Sequence, residues 1–348
     1  MFTGDYGQYA VDHVSDNAGG AITVFGKMLG ETGKILAQHV NSRGVRKWSP
    51  DVVPICNPTE ERTHFFARAG GKGKAFISRE GRRDGNADVY AQHIDGNGNI
   101  KWATNGVPIC KTSYNQRTQN MVLDGIGGTF IVWHDFRAGA DIYPKIIDAN
   151  VTVQWAKDDL SVIATAATQL SKTQLFDYGN KLYTRDFATA DGSSGLIICW
   201  YDYRTGKNDI YAQRLNSSGY KLWNPDGIFV YNNAIFNKRR PQAMSYEPGE
   251  AIFFYEEDNN DGNNKPYTTR INKDGNLIWR RPIFNAAGAS IEHAIATDSS
   301  GRAIVVWQGK RSRAEDIYAQ RIDGNAKSKW ALTVSPSALR RATRTATR

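Results

Sequence analysis

A segment of constant length recurs six times along this chain, and that constancy restricts the fold more than any other feature. Its fullest copy is Asp88-Val-Tyr-Ala-Gln-His-Ile-Asp-Gly-Asn-Gly-Asn-Ile-Lys-Trp102, running on to Gly106-Val-Pro-Ile-Cys110. The other five copies start at Lys34, Asp141, Asp209, Lys265 and Asp316, and they end at Trp48, Trp155, Trp223, Trp279 and Trp330. In all six the first residue and the Trp are 14 positions apart. A length kept that strictly marks a hairpin whose register cannot slip without turning every side chain to the wrong face.

A second repeated piece lies upstream of each hairpin. Asp16-Asn-Ala-Gly-Gly-Ala-Ile-Thr-Val-Phe25 aligns with segments that run from Asp124 to Trp133, Asp191 to Trp200 and Asp298 to Trp307. Repeats 2 and 5 carry degenerate copies, Gly70 to Ser78 and Glu247 to Tyr255. A Gly-rich turn followed by a β-branched and aromatic run is a hairpin signature. The two pieces give four strands per repeat, in repeat 3 roughly 118–123, 129–134, 141–147 and 151–156. The third strand is apolar on both alternations, as in Ile210, Tyr211, Ala212 and Leu215, so its sheet is expected to be covered on both faces. Four-stranded antiparallel units of roughly 50 residues, repeated and covered on both sides, suit radially packed blades. The expected fold is therefore all-β, a β-propeller of six blades or six blades of a larger ring. The blades span about 7–57, 58–111, 112–163, 164–231, 232–285 and 286–336. Repeat 4 is the longest, and its surplus falls between Thr165 and Lys181, a segment suited either to binding or to a tolerated surface loop. Residues 337–348 have no repeat pattern and are expected to be a basic flexible tail.

The formal charge is +9, of which four charges (Arg340, Arg341, Arg344 and Arg348) lie in that tail. No basic run interleaves with aromatics, which disfavours a nucleic-acid partner and favours a solvated basic surface. No apolar stretch approaches the ~20 residues of a membrane-spanning helix. The N-terminus shows no basic start followed by an apolar core, so no signal peptide is expected. Cys56, Cys110 and Cys199 are odd in number and lack metal spacing; all three read as small core residues.

The ordered pieces Gly-Gly-x-x-x-Val-Trp-x-Asp-x-Arg, Asp-Ile-Tyr-Ala-Gln-Arg and Asp-x-x-Gly-x-x-x-Trp resemble the propeller-type repeats of bacterial secreted and cell-surface proteins. The resemblance covers about residues 7 to 336. It implies a β-propeller, an extracellular or cell-surface setting and a binding, adhesion or scaffolding role, with no shared catalytic residues to carry over. The turn-plus-Trp element, as in Asn272 to Trp279, is also similar to the Asp-box of sialidase-type propellers. The Asp-box has its Gly three residues before its Trp, whereas here Gly44, Gly98, Gly219 and Gly275 stand four before theirs.

Candidate ligand-binding residues come from three places. Trp133-His-Asp-Phe-Arg137 and Trp200-Tyr-Asp-Tyr-Arg204 place Asp135, Arg137, Asp202 and Arg204 where they suit a sugar or an acid. The repetition of the motif favours a structural Asp–Arg tie. His13, His64 and His293 lie in or near first strands, the channel side of a propeller. The loop Glu257-Asp-Asn-Asn-Asp-Gly-Asn264 resembles the first half of a calcium loop, with Glu257, Asn259 and Asp261 as oxygen donors. Its closing Glu is missing, which favours a metal-free turn. No cofactor is expected apart from this candidate calcium.

The expected function is a non-enzymatic binding or adhesion module with a glycan or protein partner. The alternative is a propeller glycoside hydrolase or polysaccharide lyase, which needs converging carboxylates, or a Tyr/His/Arg group, from several blades. A structural spacer is the third reading.

Overall fold

The computed structural model describes residues 8–29, 32–48, 52–56, 64–83, 85–137, 141–148, 152–155, 161–162, 187–232, 235–258, 264–283, 290–297, 302–309, 316–325, 327, 329 and 330. Two compact units make up the chain. One is built on residues 1–182 with the short stretches 194–196 and 216–221, the other on the remainder. There is no helix among the described residues.

Six antiparallel sheets are described, each a meander with its strands in chain order. Sheet 1 comprises Gln8–Ser15, Ala21–Leu29, Thr32–Val40 and Val53–Pro54. Sheet 2 comprises Phe65–Gly71, Lys74–Gly81, Asp88–Ile94 and Val107–Cys110. Sheet 3 comprises Gln116–Leu123, Thr129–Asp135, Asp141–Ile147 and Val153–Gln154. Sheet 4 comprises Ala188–Ala190, Leu196–Asp202, Asp209–Leu215 and Ile228–Phe229. Sheet 5 comprises Asn237–Ser245, Ala251–Asp258, Lys265–Ile271 and Leu277–Pro282. Three strands are described in sheet 6, Ser290–Thr297, Ala303–Gly309 and Asp316–Ile322. The fourth strand of sheet 3 is two residues long rather than the six read from sequence. Its partner strand bonds it only at Ile146 and Ile147. The Thr165–Lys181 surplus and the 337–348 tail lie outside the described residues.

The constant hairpin length has a mechanical cause. Gln38, Gln92 and Gln213 each accept the backbone N–H of the Trp ten residues on; Gln38 donates its amide to the carbonyl of that Trp, and Gln92 and Gln213 donate to the carbonyl of the residue after it. The intervening turn is capped by one side chain that accepts two backbone N–H groups, two and four residues ahead. Asn41, Asp95, Asn216, Asn272 and Asp323 all do this. These are Asx-turns, in which a short carboxylate or amide stands in for a backbone acceptor. One residue more or fewer would break both sets of bonds.

Trp48, Trp155, Trp223 and Trp279 then reach the following repeat. The indole N–H of Trp48 donates to Gly96 O at 3.1 Å, and that of Trp223 to Lys273 O at 3.0 Å. Trp155 reaches Ser217 O and Trp279 reaches Gly324 O in the same way. Gly98 has φ +89, and a Cβ added there would stand 2.8 Å from Cγ of Trp48. Glycine is needed at that position both for its backbone conformation and for the indole lying on it.

A first strand has one edge left unpaired by its own sheet, and side chains cover part of it. Asp12 Oδ2 accepts the N–H of Ala67 at 2.9 Å, and Thr189 Oγ1 accepts that of Ser245 at 3.1 Å. Capping edge donors in this way blocks pairing with a foreign strand. The core is apolar, and Cys56, Cys110 and Cys199 lie buried in it as free thiols, with burial pushing the Cys199 thiol well up.

Candidate functional site

Each sheet has two ends of different chemistry. At the end of the 1–2 and 3–4 turns, charges are spent on internal ties. His39 Nε2 meets Asp16 Oδ2 at 2.9 Å, Arg214 pairs with Asp191 at 2.9 Å, and Arg270 holds Glu250 through two nitrogens at 2.9 and 2.7 Å. The His39 contact holds the Asp16 carboxyl below its usual range. His93 occupies the same slot in sheet 2, but that repeat has Gly70-Gly-Lys-Gly73 in place of the acidic turn. Its Nε2 is sealed without a hydrogen bond, and burial lowers its pKa to about 4.

The opposite end carries the start of each first strand and the loop between strands two and three. Here the Trp-x-Asp-x-Arg motifs form a brace. Asp135 is fully buried; it accepts Arg137 Nε at 2.9 Å and the indole N–H of Trp133 at 3.3 Å. The Arg137 guanidinium lies 4.6 Å over the Tyr143 ring, which stacks on Trp133. Asp202 and Arg204 repeat this with Trp200 and Tyr211, Arg204 Nε lying 2.9 Å from Asp202 and its guanidinium 4.0 Å over the ring. Sheet 5 builds the same brace from different strands. Glu257 stands where Asp135 does, and Arg280 of the fourth strand reaches it at 2.6 Å while lying 3.4 Å over Tyr267 and 4.0 Å over Tyr231. Glu257 of the candidate calcium loop is thus held by a guanidinium, and Asn259 and Asp261 lie outside the described residues. Among the described residues no group of three or more His, Cys, Asp or Glu is placed to hold a metal ion.

Beside each brace runs a column in which the repeats disagree. The second-strand residue after the aromatic position, which Arg79 fills in sheet 2, is Gly26, Glu80, His134, Tyr201, Glu256 or Gln308 in sheets 1 to 6. In the first unit this column meets the first strands at charged residues. Glu80 donates its backbone N–H to His64 O at 3.0 Å, and its carboxylate stands 3.6 Å from His64 Nδ1. In sheet 3 the cross-strand partner of His134 is Arg117. The His64 imidazole is 55% exposed, open to a ligand, whereas the Glu80 side chain is 11% exposed. Glu80 raises the pKa of His64 above its ordinary value, against burial and the nearby positive charge of Arg117, which lower it.

The direction has a testable sign. A pKa raised on folding adds stability below about 6.5, lost as pH rises through the folded value. The effect on stability is small at so exposed a ring, and the titration itself is the sharper readout. In an NMR pH titration the His64 imidazole is expected to titrate above the ordinary histidine value, and Glu80→Gln to move it downward.

Of the three sequence-selected histidines, His64 alone has a described side-chain ionic partner. His13 is exposed, and its backbone N–H donates to Asp12 Oδ1 at 3.0 Å. His293 lies in the first strand of sheet 6, in the second unit, and its side chain is outside the described residues. Glu80, Arg117 and His134 were missed as candidates; the signal for Glu80 and His134 was their place in the variable column.

No family model matches the chain, and no curated protein matches it. Solved structures do. A polysaccharide lyase of family PL25, an ulvan lyase bound to a glucuronate–rhamnose-3-sulfate unit, is 9% identical with a TM-score of 0.50 over 89% of this chain and 79% of that one. A thermostable family-43 glycoside hydrolase is 10% identical with a TM-score of 0.40 over 97% and 98%. A Dyadobacter fermentans protein of unknown function is 10% identical with a TM-score of 0.44 over 73% and 77%. At these identities the likeness concerns the fold, and the chain is an all-β protein of the propeller class.

Proposed function

We propose that this protein is a carbohydrate-active propeller that acts on a glycan by acid–base chemistry at His64, in the manner of a polysaccharide lyase. The observation that carries the reading is the meeting of His64, Glu80 and Arg117 from two neighbouring sheets of the first unit. An accessible imidazole tuned in opposite directions by a carboxylate and a guanidinium suits proton transfer near neutral pH. A binding or adhesion module has no need of that tuning, so the enzymatic alternative is preferred to it.

Lyase chemistry is preferred to hydrolysis for a geometric reason. Hydrolysis needs two carboxyl groups facing the same bond, about 5–9.5 Å apart. Here Glu80 stands against His64, and Asp135 is held by Arg137. In the lyase reaction, neutral His64 takes the proton from the ring carbon beside a carboxylate. The electron pair freed forms a C=C bond as the glycosidic C–O bond at the β position breaks, and the leaving oxygen takes up a proton. Glu80 fixes the imidazole and sets its pKa. Turnover is therefore expected to rise with pH through the His64 pKa, and Glu80→Gln to move that rise to lower pH.

The test is a panel of neutral and acidic polysaccharides, with the unsaturated product followed by ultraviolet absorbance. Cleavage of an acidic polysaccharide is expected, with a loss of roughly 100-fold or more in His64→Ala, the scale of a general base. In the same reading the six repeats are blades of one domain over 1–336, and the setting is extracellular, as the repeat resemblance implies.

A further inference from the structure

In a regular strand, residues three apart face opposite sides of the sheet. Arg117 and Asn120 escape that rule. A bulge at 118–119 lets Asn120 pair with Val132 while Arg117 pairs with His134. Val132 and His134 are two apart and share a face, so their partners Arg117 and Asn120 share it too. Re-aiming a side chain in this way is a known use of bulges beside functional sites.

Both re-aimed residues carry donors with nothing to donate to. Nδ2 of Asn120 and Nε of Arg117 are sealed from solvent and make no hydrogen bond. Asn120 is only 1% exposed, and its Oδ1 is already taken by Arg68 Nη2 at 3.3 Å, from the first strand of sheet 2. Sheet 1 shows the contrasting case. Asp12, paired with Val24 as Asn120 is with Val132, is an acceptor, and it is satisfied by the N–H of Ala67. Native proteins leave few buried donors unmade, and each calls for an explanation such as a ligand or ion. The Arg117 Nε–H and the Asn120 amide N–H are donors that only an acceptor can satisfy, and the charges of Arg117 and Arg68 favour a negative one.

We propose that Arg68, Arg117 and Asn120 form a receptor for an anionic group, the carboxylate or sulfate of a sugar, next to His64. This rests on the glycan reading above and assigns the residues that hold the anionic substituent which that reading requires. The receptor fixes the sugar by its charged substituent, and in a uronate it also withdraws charge from the carbon that loses its proton.

Calorimetric titration of the full chain with carboxylated, sulfated and neutral oligosaccharides of one length tests it. Acidic ligands are expected to bind roughly tenfold or more tightly than the neutral one, as a charge-assisted bidentate contact would give. The carboxylated and sulfated arms separate the two anions. Arg117→Gln and Asn120→Asp are each expected to remove that advantage, with folding checked by circular dichroism. Equal binding of acidic and neutral sugars, or an advantage that survives both substitutions, overturns the receptor and leaves the glycan reading standing. If no sugar binds, the Asn120 side-chain amide signal is followed by NMR during addition of acetate or sulfate. A shift that Arg117→Gln abolishes then supports the receptor and counts against the glycan reading; no shift overturns the receptor.

Discussion

Replacing Lys238 by Met is expected to lower the stability of the protein by about 3–5 kcal/mol, the usual cost of removing one partner of a buried ion pair. Lys238 is fully buried in the first strand of sheet 5, and its Nζ lies 2.6 Å from Asp209 Oδ1. Asp209 opens the third strand of sheet 4 and also accepts Thr205 Oγ1 at 2.6 Å. Two bonds from backbone donors flank the pair: Lys238 N–H donates to Asn208 O, and Asn208 N–H to the side-chain Oδ1 of Asn237. Losing the ammonium strands a carboxylate that water cannot reach, which is why the cost exceeds that of a surface pair. Lys273→Met is the control, because Lys273 and Asp274 are both well exposed and such a pair contributes ~1 kcal/mol or less. The double substitution Lys238→Met with Asp209→Leu should recover part of the loss. Urea unfolding midpoints of the four proteins decide it. Equal losses for Lys238→Met and Lys273→Met would contradict the account.

Trp48→Ala is expected to cost about 3–5 kcal/mol for the lost aromatic packing, and about 1 kcal/mol more for the indole hydrogen bond. Trp48 is 3% exposed and belongs to a core cluster shared by sheets 1 and 2. Its ring lies on Gly98, and its N–H is spent on Gly96 O of the following turn. Trp330 holds the same place in its repeat but is 43% exposed. Trp330→Ala should therefore lower the unfolding midpoint far less, by the equivalent of ~1 kcal/mol or less. Similar losses at both positions would contradict burial as the source of the energy.

These residues show which parts of the structure were readable in advance. The hairpins were readable because their cause is local: the Asx residue and the Trp recur in all six within 14 positions, joined by the Gln and the Gly in repeats 1, 2 and 4. The partner of each Trp was not, since Gly96 lies 48 residues from Trp48 and only packing of one sheet on the next brings them together. The brace was half readable. Asp135–Arg137 and Asp202–Arg204 lie two residues apart, whereas Glu257 takes its arginine from position 280. His64 was selected for its place near a first strand. Glu80 lies two residues past the degenerate piece of repeat 2, and it meets His64 only through strand pairing. The bulge that turns Arg117 toward the face of Asn120 leaves no mark in the sequence, because a bulge is a property of two strands and not of one.

The repeat supplies the scaffold, and chemistry enters where its copies differ. That claim is most directly tested by the rate at which wild-type protein and His64→Ala cleave an acidic polysaccharide at neutral pH. The account predicts measurable cleavage to an unsaturated product by the wild type, and a loss of roughly 100-fold or more in a variant that still folds. Equal rates for the two proteins, or a wild type that cleaves no acidic polysaccharide, would contradict it.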